Sequence, residues 1–492
     1  MQFFSTRGGE AVSAAQAVVR GISPSGGLYV PGAFPELDLS FLCGHADDYR
    51  AIARHVMQPY LAETDGAALA DMIDAAYGSF DSGAVVPLHM LNDRESVAEL
   101  WHGPTMAFKD VALQMLPHLM TSALSQLGET HGVYILVATS GDTGKAALAG
   151  FADVPGTRVL VFYPEGGVSE AQRLQMVTQR GGNVDVCAVR GNFDDAQTGV
   201  KRIFSDEAVR EKLERCNWRL SSANSINFGR LLPQIVYYCT SYARLVQGGR
   251  IRCGEPVNFC VPTGNFGDIL AGEYARRMGL PVKKLICASN RNNVLTDFFS
   301  SGIYDDRRTF YKSMSCSMDI LISSNLERLL FDLAGGSPET VCSWMRSLAE
   351  TGRYDVGAAA RDRMAQTFAA GWCSERDTLS AIKRVFDETG YLMDPHTAVG
   401  QTVYERYAEE TGDTTQTVLL STANPYKFAT AVLGVFETPG GNDLENADRL
   451  HAVTGAPIPA GVAELRNQPE RFHDVCELFE MPSRVLRPLG AE

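Results

Sequence analysis

Short runs of apolar residues alternate with amphipathic helical patterns between about residue 130 and residue 290. Each run has apolar side chains at successive positions, which is typical of strands that are buried on both faces. Strands of this kind, separated by helices, indicate a parallel sheet covered by helices. We therefore predict an α/β fold with these buried strands: Val133–Ala138, Val159–Phe162, Val184–Val189, Val257–Val261, Leu285–Ala288 and, further on, Val418–Leu420.

The patterns outside this central part divide the chain further. Apolar residues recur at helical spacing near the start, which predicts a mostly helical N-terminal domain over residues 1–90. We assign residues 91–440 to a core, with a smaller domain inserted at about 130–255. The remaining segment is rich in Gly, Pro, Asn and Glu, so we expect a surface tail over 441–492.

The composition narrows the class of protein. Of the 492 residues, 44 are Lys or Arg and 58 are Asp or Glu, so the formal net charge is −14. Nucleic-acid and membrane-surface binding need clustered positive charge, so we expect neither partner. The 11 cysteines show neither CxxC pairing nor metal-ligand spacing. We expect reduced thiols, no metal site and a cytoplasmic protein, with monomer and homodimer both open.

Lys109 stands in an unusual setting for a lysine. It lies between Phe108 and a helix-forming apolar run that begins at Val111. Burial disfavours the ammonium form, lowers the pKa of an amine and makes it nucleophilic near neutral pH. Such a lysine favours a Schiff base, and pyridoxal phosphate is the common carbonyl partner. The alternative is a surface lysine whose stem lies along apolar neighbours.

Three polar stretches that follow apolar runs favour the cofactor interpretation. Pro262–Asp268 has two glycines three residues apart after a strand and before a helical pattern. Its N–H groups can cradle a phosphate, or it is an ordinary turn. Thr139–Lys145 lacks the first glycine and the final hydroxyl of a nucleotide P-loop. It is either a hydroxyl-rich turn for a carboxylate or a capped helix start. Ser421-Thr422 puts hydroxyls at a strand end for a ring nitrogen, or forms a local turn.

Two further segments offer polar groups for an anion or a helix cap. Ser222–Asn227 is a polar run that Arg230 follows, and these residue types suit an oxyanion such as phosphate. A helix-surface arginine is the alternative. Asp394 and Thr397 stand at a helix start that either can cap, and His396 between them fits a packed histidine.

Seven segments, taken in order, resemble threonine synthase. The resemblance extends over nearly the whole chain, with STRGG (5–9) and GLYVP (27–31) matching the N-terminal domain of that family. It is to the longer branch found in fungi and many bacteria. The segments are ELWHGPTMAFKDVALQ (99–114), TSGDTGKAAL (139–148), NSINFGRLLPQ (224–234), PTGNFGDILAG (262–272), SMDILISSNLERLLF (317–331), DPHTAVG (394–400) and STANPYKFATAV (421–432).

The resemblance implies a fold and an activity. The fold would be that of tryptophan synthase β, pyridoxal-phosphate fold type II, with a two-domain parallel-sheet core behind the helical N-terminal domain. The enzyme would be a carbon–oxygen lyase acting on a phosphate. It would convert O-phospho-L-homoserine and water to L-threonine and phosphate, the last step of threonine biosynthesis.

The resemblance also implies site residues. Lys109 would hold pyridoxal phosphate covalently, and Thr422 would face its ring nitrogen. The loop for the cofactor phosphate would be Gly264, Asn265, Phe266, Gly267 and Asp268. The residues for the substrate carboxylate and the hydroxyl side of the cofactor would be Ser140, Gly141, Asp142 and Thr143. Those for the substrate phosphate would be Ser225, Asn227 and Arg230.

Two positions depart from the family pattern, and two other functions stay open. Lys145 stands where the family has a small residue, and Asn424 stands where it has a histidine. A related lyase, either a serine/threonine dehydratase or a threonine-synthase-like phospholyase, shares the lysine and the Gly-rich loop. A non-catalytic metabolite-binding protein can keep the same scaffold.

Overall fold

The computed structural model describes residues 1–139 and 141–491. The N-terminal region contains β1 Gln2–Ser5, β2 Val12–Ser13, α1 Ala14–Arg20, β3 Tyr29–Pro31, α2 Leu39–Gly44, α3 Tyr49–Met57 and α4 Gly66–Tyr77. The strands form an antiparallel sheet in the order β2-β1-β3. We expected mostly helices here. The strands are too short to show an alternating pattern.

Polar side chains explain where these N-terminal helices begin. Each accepts a hydrogen bond from an N–H group of the first turn, which stabilises a helix start by about 1 kcal/mol. The capping residues are Ser13, Asp38, Asp48 and Asp65.

Two sets of elements lead from the N-terminal region into the core. Residues 88–126 form β4 Leu88–Met90, β5 Glu95–Glu99, α5 Lys109–Leu113 and α6 Leu116–Gln126. The next set is β6 Gly132–Ala138, α7 Asp142–Phe151, β7 Thr157–Pro164, α8 Glu170–Val177, β8 Val184–Val189, α9 Phe193–Ser205, α10 Glu207–Arg215, β9 Trp218–Ser221 and α11 Phe228–Gln247.

The second half of the core adds strands and helices in alternation. The strands are β10 Val257–Pro262, β11 Val282–Ser289, β12 Ile303–Asp305, β13 Arg353–Asp355, β14 Phe368–Trp372 and β15 Thr417–Ser421. The helices are α12 Gly267–Arg277, α13 Val294–Ser301, α14 Leu326–Leu333, α15 Pro338–Thr351, α16 Ala358–Thr367, α17 Glu375–Thr389 and α18 Pro395–Thr411.

The C-terminal segment is folded, which differs from the surface tail that we expected. It contains α19 Ala429–Leu433, α20 Asp443–Thr454, α21 Ala460–Ala463, β16 Asp474–Cys476 and α22 Met481–Leu486. β16 pairs in parallel with β8, nearly three hundred residues earlier. A three-residue strand is too short to show a hydrophobic pattern in the sequence. β16 forms because β8 is available to pair with it.

Most core strands form two larger sheets, while β12 and β13 pair with each other in a small antiparallel sheet. One has the order β16-β8-β7-β6-β9 and is parallel throughout. The other has the order β14-β11-β10-β15-β5-β4, and its one antiparallel pair is β4 with β5. All six predicted buried strands are present. α11 is buried along most of its length, and no helix in the described ranges is long and apolar enough to span a membrane.

Candidate active site

Lys109 begins α5, after the loop that follows β5. This loop runs beside the segment that follows β15, with an antiparallel bridge between Ala107 and Ala423. The amide of Phe108 donates to the carbonyl of Thr422 at 2.8 Å. Because β5 and β15 are paired neighbours, Lys109 and Thr422 lie close together at the same edge of the six-stranded sheet.

The Lys109 amine is largely enclosed and hydrogen-bonded. Its side chain is 11% exposed, and Nζ donates to Oδ2 of Asp142 at 3.3 Å and to Oγ of Ser317 at 3.1 Å. Asp142 follows β6 of the five-stranded sheet, so this ion pair joins the carboxyl edges of the two sheets. A solvated surface lysine, which the sequence left open, does not fit this environment.

Asp142 is held between two lysines. Its Oδ1 lies 3.2 Å from Nζ of Lys427, whose side chain is 1% exposed, and accepts from Nε2 of Gln172 at 3.2 Å. Burial has the largest single influence on this carboxyl and opposes its ionisation. Lys427 and Lys109 nevertheless lower the pKa of Asp142 well below its usual range. Asp142 is therefore a buried anion that both lysines need.

Sequence reasoning missed Ser317 and Lys427 as site residues. Both lie in segments that carry the family resemblance, but neither is near Asp142 in the chain, and Ser317 is 175 residues away. His396, which we treated as a packed histidine, also reaches the site through the Ser317 amide. An Asp-x-His at a helix start was the one available sign, since the capping Asp394 also bonds the ring.

The Gly-rich loop between β10 and α12 presents unpaired backbone donors. The N–H groups of residues 264–268 donate to no described residue, and the last of them lie in the first turn of α12. Phe266 has a φ of 63°, in the left-handed region, so the chain turns sharply into the helix. Free N–H groups at a helix N-terminus bind phosphate. The loop therefore fits the phosphate of a cofactor.

Asp268, which the resemblance places in this loop, directs its carboxyl group towards α11. Its Oδ1 accepts hydrogen bonds from the hydroxyls of Tyr237 and Tyr238 on α11. Burial raises the pKa of Asp268 to about 6, and the tyrosine hydroxyls act in the opposite direction. Asp268 can offer the cofactor its backbone amide, while its carboxyl group anchors α12 to α11.

The segment from Ser317 to Asn325 covers the Gly-rich loop. The amide of Asn325 donates to the carbonyl of Asn265 at 3.0 Å. Its side-chain Nδ2 donates to the same carbonyl at 3.1 Å and to Oγ of Ser225 at 3.3 Å. Asn325 thus connects the cofactor loop to one of the residues implied for the substrate phosphate.

Gly264→Ala is expected to weaken cofactor binding by about 10-fold, since overpacking of this size costs about 1–3 kcal/mol. An added Cβ would stand 2.9 Å from the carbonyl oxygen of Ser317 and 3.3 Å from Cα of Met318, which are both backbone atoms. Equilibrium titration of the protein with pyridoxal phosphate measures the change. Gly83→Ala, where a Cβ meets nothing within 4 Å, is the matched control. Unchanged affinity in G264A would contradict the assignment of this loop.

The turn after β6 is only partly described, because Ser140 lies outside the described residues. Gly141 has a φ of 136°, and a Cβ there would meet the side chain of Gln172 at 2.4 Å, so only glycine fits. Thr143 is half-buried at the start of α7.

Lys145 on α7 donates a hydrogen bond to Gln179. Burial lowers the pKa of Lys145 to about 8, and the nearby charge of Lys427 acts in the same direction. The amine of Lys145, the position that departs from the family pattern, is therefore directed towards Gln179.

Arg230 on α11 is a buried cation without a carboxylate partner in the described chain. It is 4% exposed, its Nη1 donates to the carbonyl of Ala223 at 2.8 Å, and its Nε has no partner. Burial lowers the pKa of Arg230 to about 10. A buried guanidinium with an unused donor fits an anionic ligand.

Asn227 has a different role from the one implied by the resemblance. Its Oδ1 accepts from the amide of Gly229 at 2.8 Å and caps α11, and its Nδ2 donates to the carbonyl of Val18 at 2.9 Å. These bonds fix the start of the helix that carries Arg230, so Asn227 positions Arg230 indirectly. Asn424 likewise caps the turn after β15, where its Oδ1 accepts from the amide of Tyr426 at 3.0 Å.

The carboxyl ends of the parallel strands in the two sheets thus bring an enclosed lysine amine and a loop of free backbone amides next to the same residue, Ser317. Residues 97–371 match the family model described as pyridoxal-phosphate dependent enzyme, and this is the class that the fold and the site define. Residues 2–77 match the model for the threonine synthase N terminus, and residues 397–481 match the threonine synthase C-terminal model.

Known proteins agree with these matches. The chain is 39% identical to threonine synthase of Pseudomonas aeruginosa, over 96% of this chain and 95% of that protein. Its structure is similar to that of pyridoxal-phosphate-bound threonine synthase from Brucella melitensis, with a TM-score of 0.88, 36% identity and 99% coverage of both chains. The chain belongs to the threonine synthase family. The family, the fold class and the cofactor predicted from the sequence are thereby confirmed.

A human relative is longer than this chain. Threonine synthase-like 1 of Homo sapiens is 40% identical over 432 residues, which are 85% of this chain and 57% of the human protein. The chain therefore spans little more than half the length of that relative.

Proposed function

We propose that this protein converts O-phospho-L-homoserine and water to L-threonine and phosphate. The observation that carries the proposal is the buried Arg230, whose guanidinium has an unused donor and no counter-charge in the described chain. The free amides of residues 264–268 form a separate anion site for the cofactor phosphate. An enzyme that binds one phosphorylated cofactor and one phosphorylated substrate needs two such sites.

Pyridoxal phosphate, when bound, supplies a ring that withdraws electrons from the substrate carbons. Lys109 would hold it covalently, the amides of residues 264–268 would bind its phosphate, and Thr422 would contact its ring nitrogen. The Thr422 carbonyl is already fixed by the Phe108 amide, and its hydroxyl bonds to no described residue. A neutral hydroxyl does not hold a ring nitrogen protonated as a carboxylate would, which suits loss of a group from the γ carbon.

Lys109 is the group that moves protons in this proposal. Nζ accepts a proton from the substrate carbon as a free amine and returns it as an ammonium ion. Asp142 stabilises the ammonium form by its charge and keeps the amine inside the site. Because Lys427 and Gln172 occupy the other oxygen of Asp142, the carboxylate is held in one orientation. Gly141, Thr143 and Ser140 remain our candidates for the substrate carboxylate.

The proposal is tested by the products. Purified protein is incubated with O-phospho-L-homoserine, with and without pyridoxal phosphate, and both phosphate and the amino-acid product are measured. We expect equal amounts of phosphate and threonine, dependent on the cofactor. Phosphate with 2-oxobutyrate would show a related lyase instead, and no phosphate with a bound substrate would show a non-catalytic binding protein.

Arg230→Lys is expected to lower kcat/KM by roughly 30-fold, while affinity for pyridoxal phosphate stays unchanged. Lysine keeps the charge but loses the planar pair of donors, and an imperfectly paired buried phosphate costs about 2 kcal/mol. Steady-state kinetics and cofactor titration give the two numbers. Arg210→Lys on the exposed side of α10 is the control. An equal loss of both properties would place Arg230 at the cofactor.

We propose a cytoplasmic location and a monomer or homodimer. The free state of the cysteines in the described chain supports a reducing compartment. Cell fractionation and sedimentation of the purified protein test these two points.

A further inference from the structure

Ser317 occupies a special position in the site. Its hydroxyl accepts from Nζ of Lys109 at 3.1 Å and donates to Oδ2 of Asp142 at 3.1 Å. Its carbonyl oxygen lies 2.9 Å from the point where a Cβ on Gly264 would stand. One residue therefore contacts the reactive amine, its counter-ion and the cofactor loop.

A buried histidine–aspartate pair holds this residue from behind. The amide of Ser317 donates to Nε2 of His396 at 3.2 Å, and Nδ1 of His396 lies 2.7 Å from Oδ1 of Asp394. His396 is 2% exposed and Asp394 is 0% exposed. Asp394 also caps α18 through the amides of His396 and Thr397. The pair is thus fixed to the end of a core helix.

The protonation of His396 follows from this geometry. Burial disfavours the charged ring and Asp394 favours it, and the net effect raises the pKa of His396 to about 9. That pKa by itself would leave the ring charged at pH 7, but a charged ring would set its Nε2–H against the amide N–H of Ser317, so this contact decides the form. An amide N–H aimed at Nε2 is compatible only with a neutral ring, in which the Nδ1–H donates to Asp394. Aspartate then selects the tautomer that can accept from Ser317.

We propose that Ser317 is a catalytic residue whose hydroxyl holds the Lys109 amine whenever that amine is free, and that His396 with Asp394 positions Ser317. The proposal rests on the proposed function, in which Lys109 would hold the cofactor at rest and its amine would be free to move protons during the reaction. A released lysine side chain has four rotatable bonds, so without further contacts its amine would take up many directions. Asp142 alone accepts it from one side, and Ser317 adds a second, neutral acceptor that fixes the direction.

The hydroxyl of Ser317 has a defined polarity. Its hydrogen points to Asp142, so its oxygen lone pair faces Lys109. A hydrogen bond to a charged group stabilises it by about 1.5–3 kcal/mol, which corresponds to roughly 10- to 150-fold. The ammonium form that returns the proton is the form that this contact favours.

The first test separates kcat from KM. Ser317→Ala is expected to lower kcat for threonine formation by about 10- to 100-fold and to change KM by less than about twofold. Ser317→Thr keeps the hydroxyl and should recover most of the loss. Ser300→Ala, which removes a surface hydroxyl bonded to its own helix, is the control. A rise in KM with unchanged kcat would mean that Ser317 binds the substrate, which overturns the proposal.

The second test needs neither substrate nor bound cofactor. Apoenzyme, prepared by removing the cofactor with hydroxylamine, is treated with a limiting amine-acylating reagent at fixed pH, and acylation at Lys109 is measured by peptide mass mapping. The groups that face Lys109 are Asp142 and Ser317, with Lys427 behind Asp142. Without the Ser317 acceptor the Lys109 amine is held from one side only, by Asp142, and reaches the reagent more often. Lys109 in Ser317→Ala should therefore be acylated about 10-fold faster. An unchanged rate overturns the proposal.

A comparison of two variants, His396→Ala and His396→Gln, tests the positioning role of His396. His396→Ala removes the acceptor of the Ser317 amide and should reproduce part of both effects, whereas His396→Gln offers a side-chain oxygen and should restore them. Equal behaviour of Ala and Gln would show that His396 only fills space, and would overturn its role. If the protein makes no threonine, the acylation result still decides whether Ser317 holds Lys109.

Discussion

Lys109→Ala is expected to abolish threonine formation together with the covalently held cofactor. A positioned acid–base group alone contributes about 10²- to 10⁴-fold, and this residue also anchors the cofactor, so we expect kcat to fall by about 10⁴-fold or more. No other amine in the described chain is both enclosed and bonded to Ser317. Lys201→Ala on the exposed face of α9 should behave as wild type.

Borohydride reduction of the wild-type holoenzyme identifies the lysine directly. The expected label is on Lys109, and K109A should lack both the label and the visible absorption band. Lys427 is the sharpest alternative, because its Nζ lies 3.2 Å from the same carboxylate, Asp142. A label on Lys427 would falsify our assignment of the anchor and the mechanism built on it.

Asp142→Asn is expected to lower the free energy of unfolding of the protein without cofactor by about 3–5 kcal/mol at pH 7. The change leaves Lys109 and Lys427 buried without their shared anion, and breaking a buried ion pair by removing one partner has this magnitude. Urea unfolding of both proteins measures the difference. Asp71→Asn, on an exposed position of α4, should change stability by less than about 0.5 kcal/mol.

The stability difference between wild type and D142N should depend on pH. The pKa of Asp142 is lowered in the folded protein, whereas an unfolded aspartate titrates near 3.9. The contribution is therefore fully present above about pH 5 and shrinks as the pH falls below about 4. Unfolding at pH 7, 5 and 4 tests the sign. A difference that grows on acidification would contradict the buried-anion assignment.

The sheet strands were predictable from the sequence because burial on both faces leaves continuous apolar runs. Val257–Val261 and Val418–Leu420 fall inside β10 and β15 for this reason. The Gly-rich loop was predictable as well, since a strand, two glycines and a helix have a local signature. The short N-terminal strands were not, because strands of two to four residues show no alternation. β16 was not, because its partner β8 lies roughly 285 residues away.

Contacts between distant segments limited the prediction of the site. The setting of Asp142 between Lys109 and Lys427 requires both sheets to be in place. Asp268 belongs to the Gly-rich loop in sequence, and Tyr237 and Tyr238 draw its carboxyl group into the core. Local patterns report which groups are near a turn, but the direction of a side chain depends on the helix packed against it.

The pairing of β16 with β8 has a consequence for the order in which the molecule is built. Translation releases β8 long before β16, which lies roughly 285 residues further along. At about 5–20 residues per second, the nascent five-stranded sheet waits roughly 15–60 s with an open edge. During that interval the growing chain exposes the unpaired backbone groups of β8, and we expect ribosome-bound chaperones to protect this edge of the five-stranded sheet.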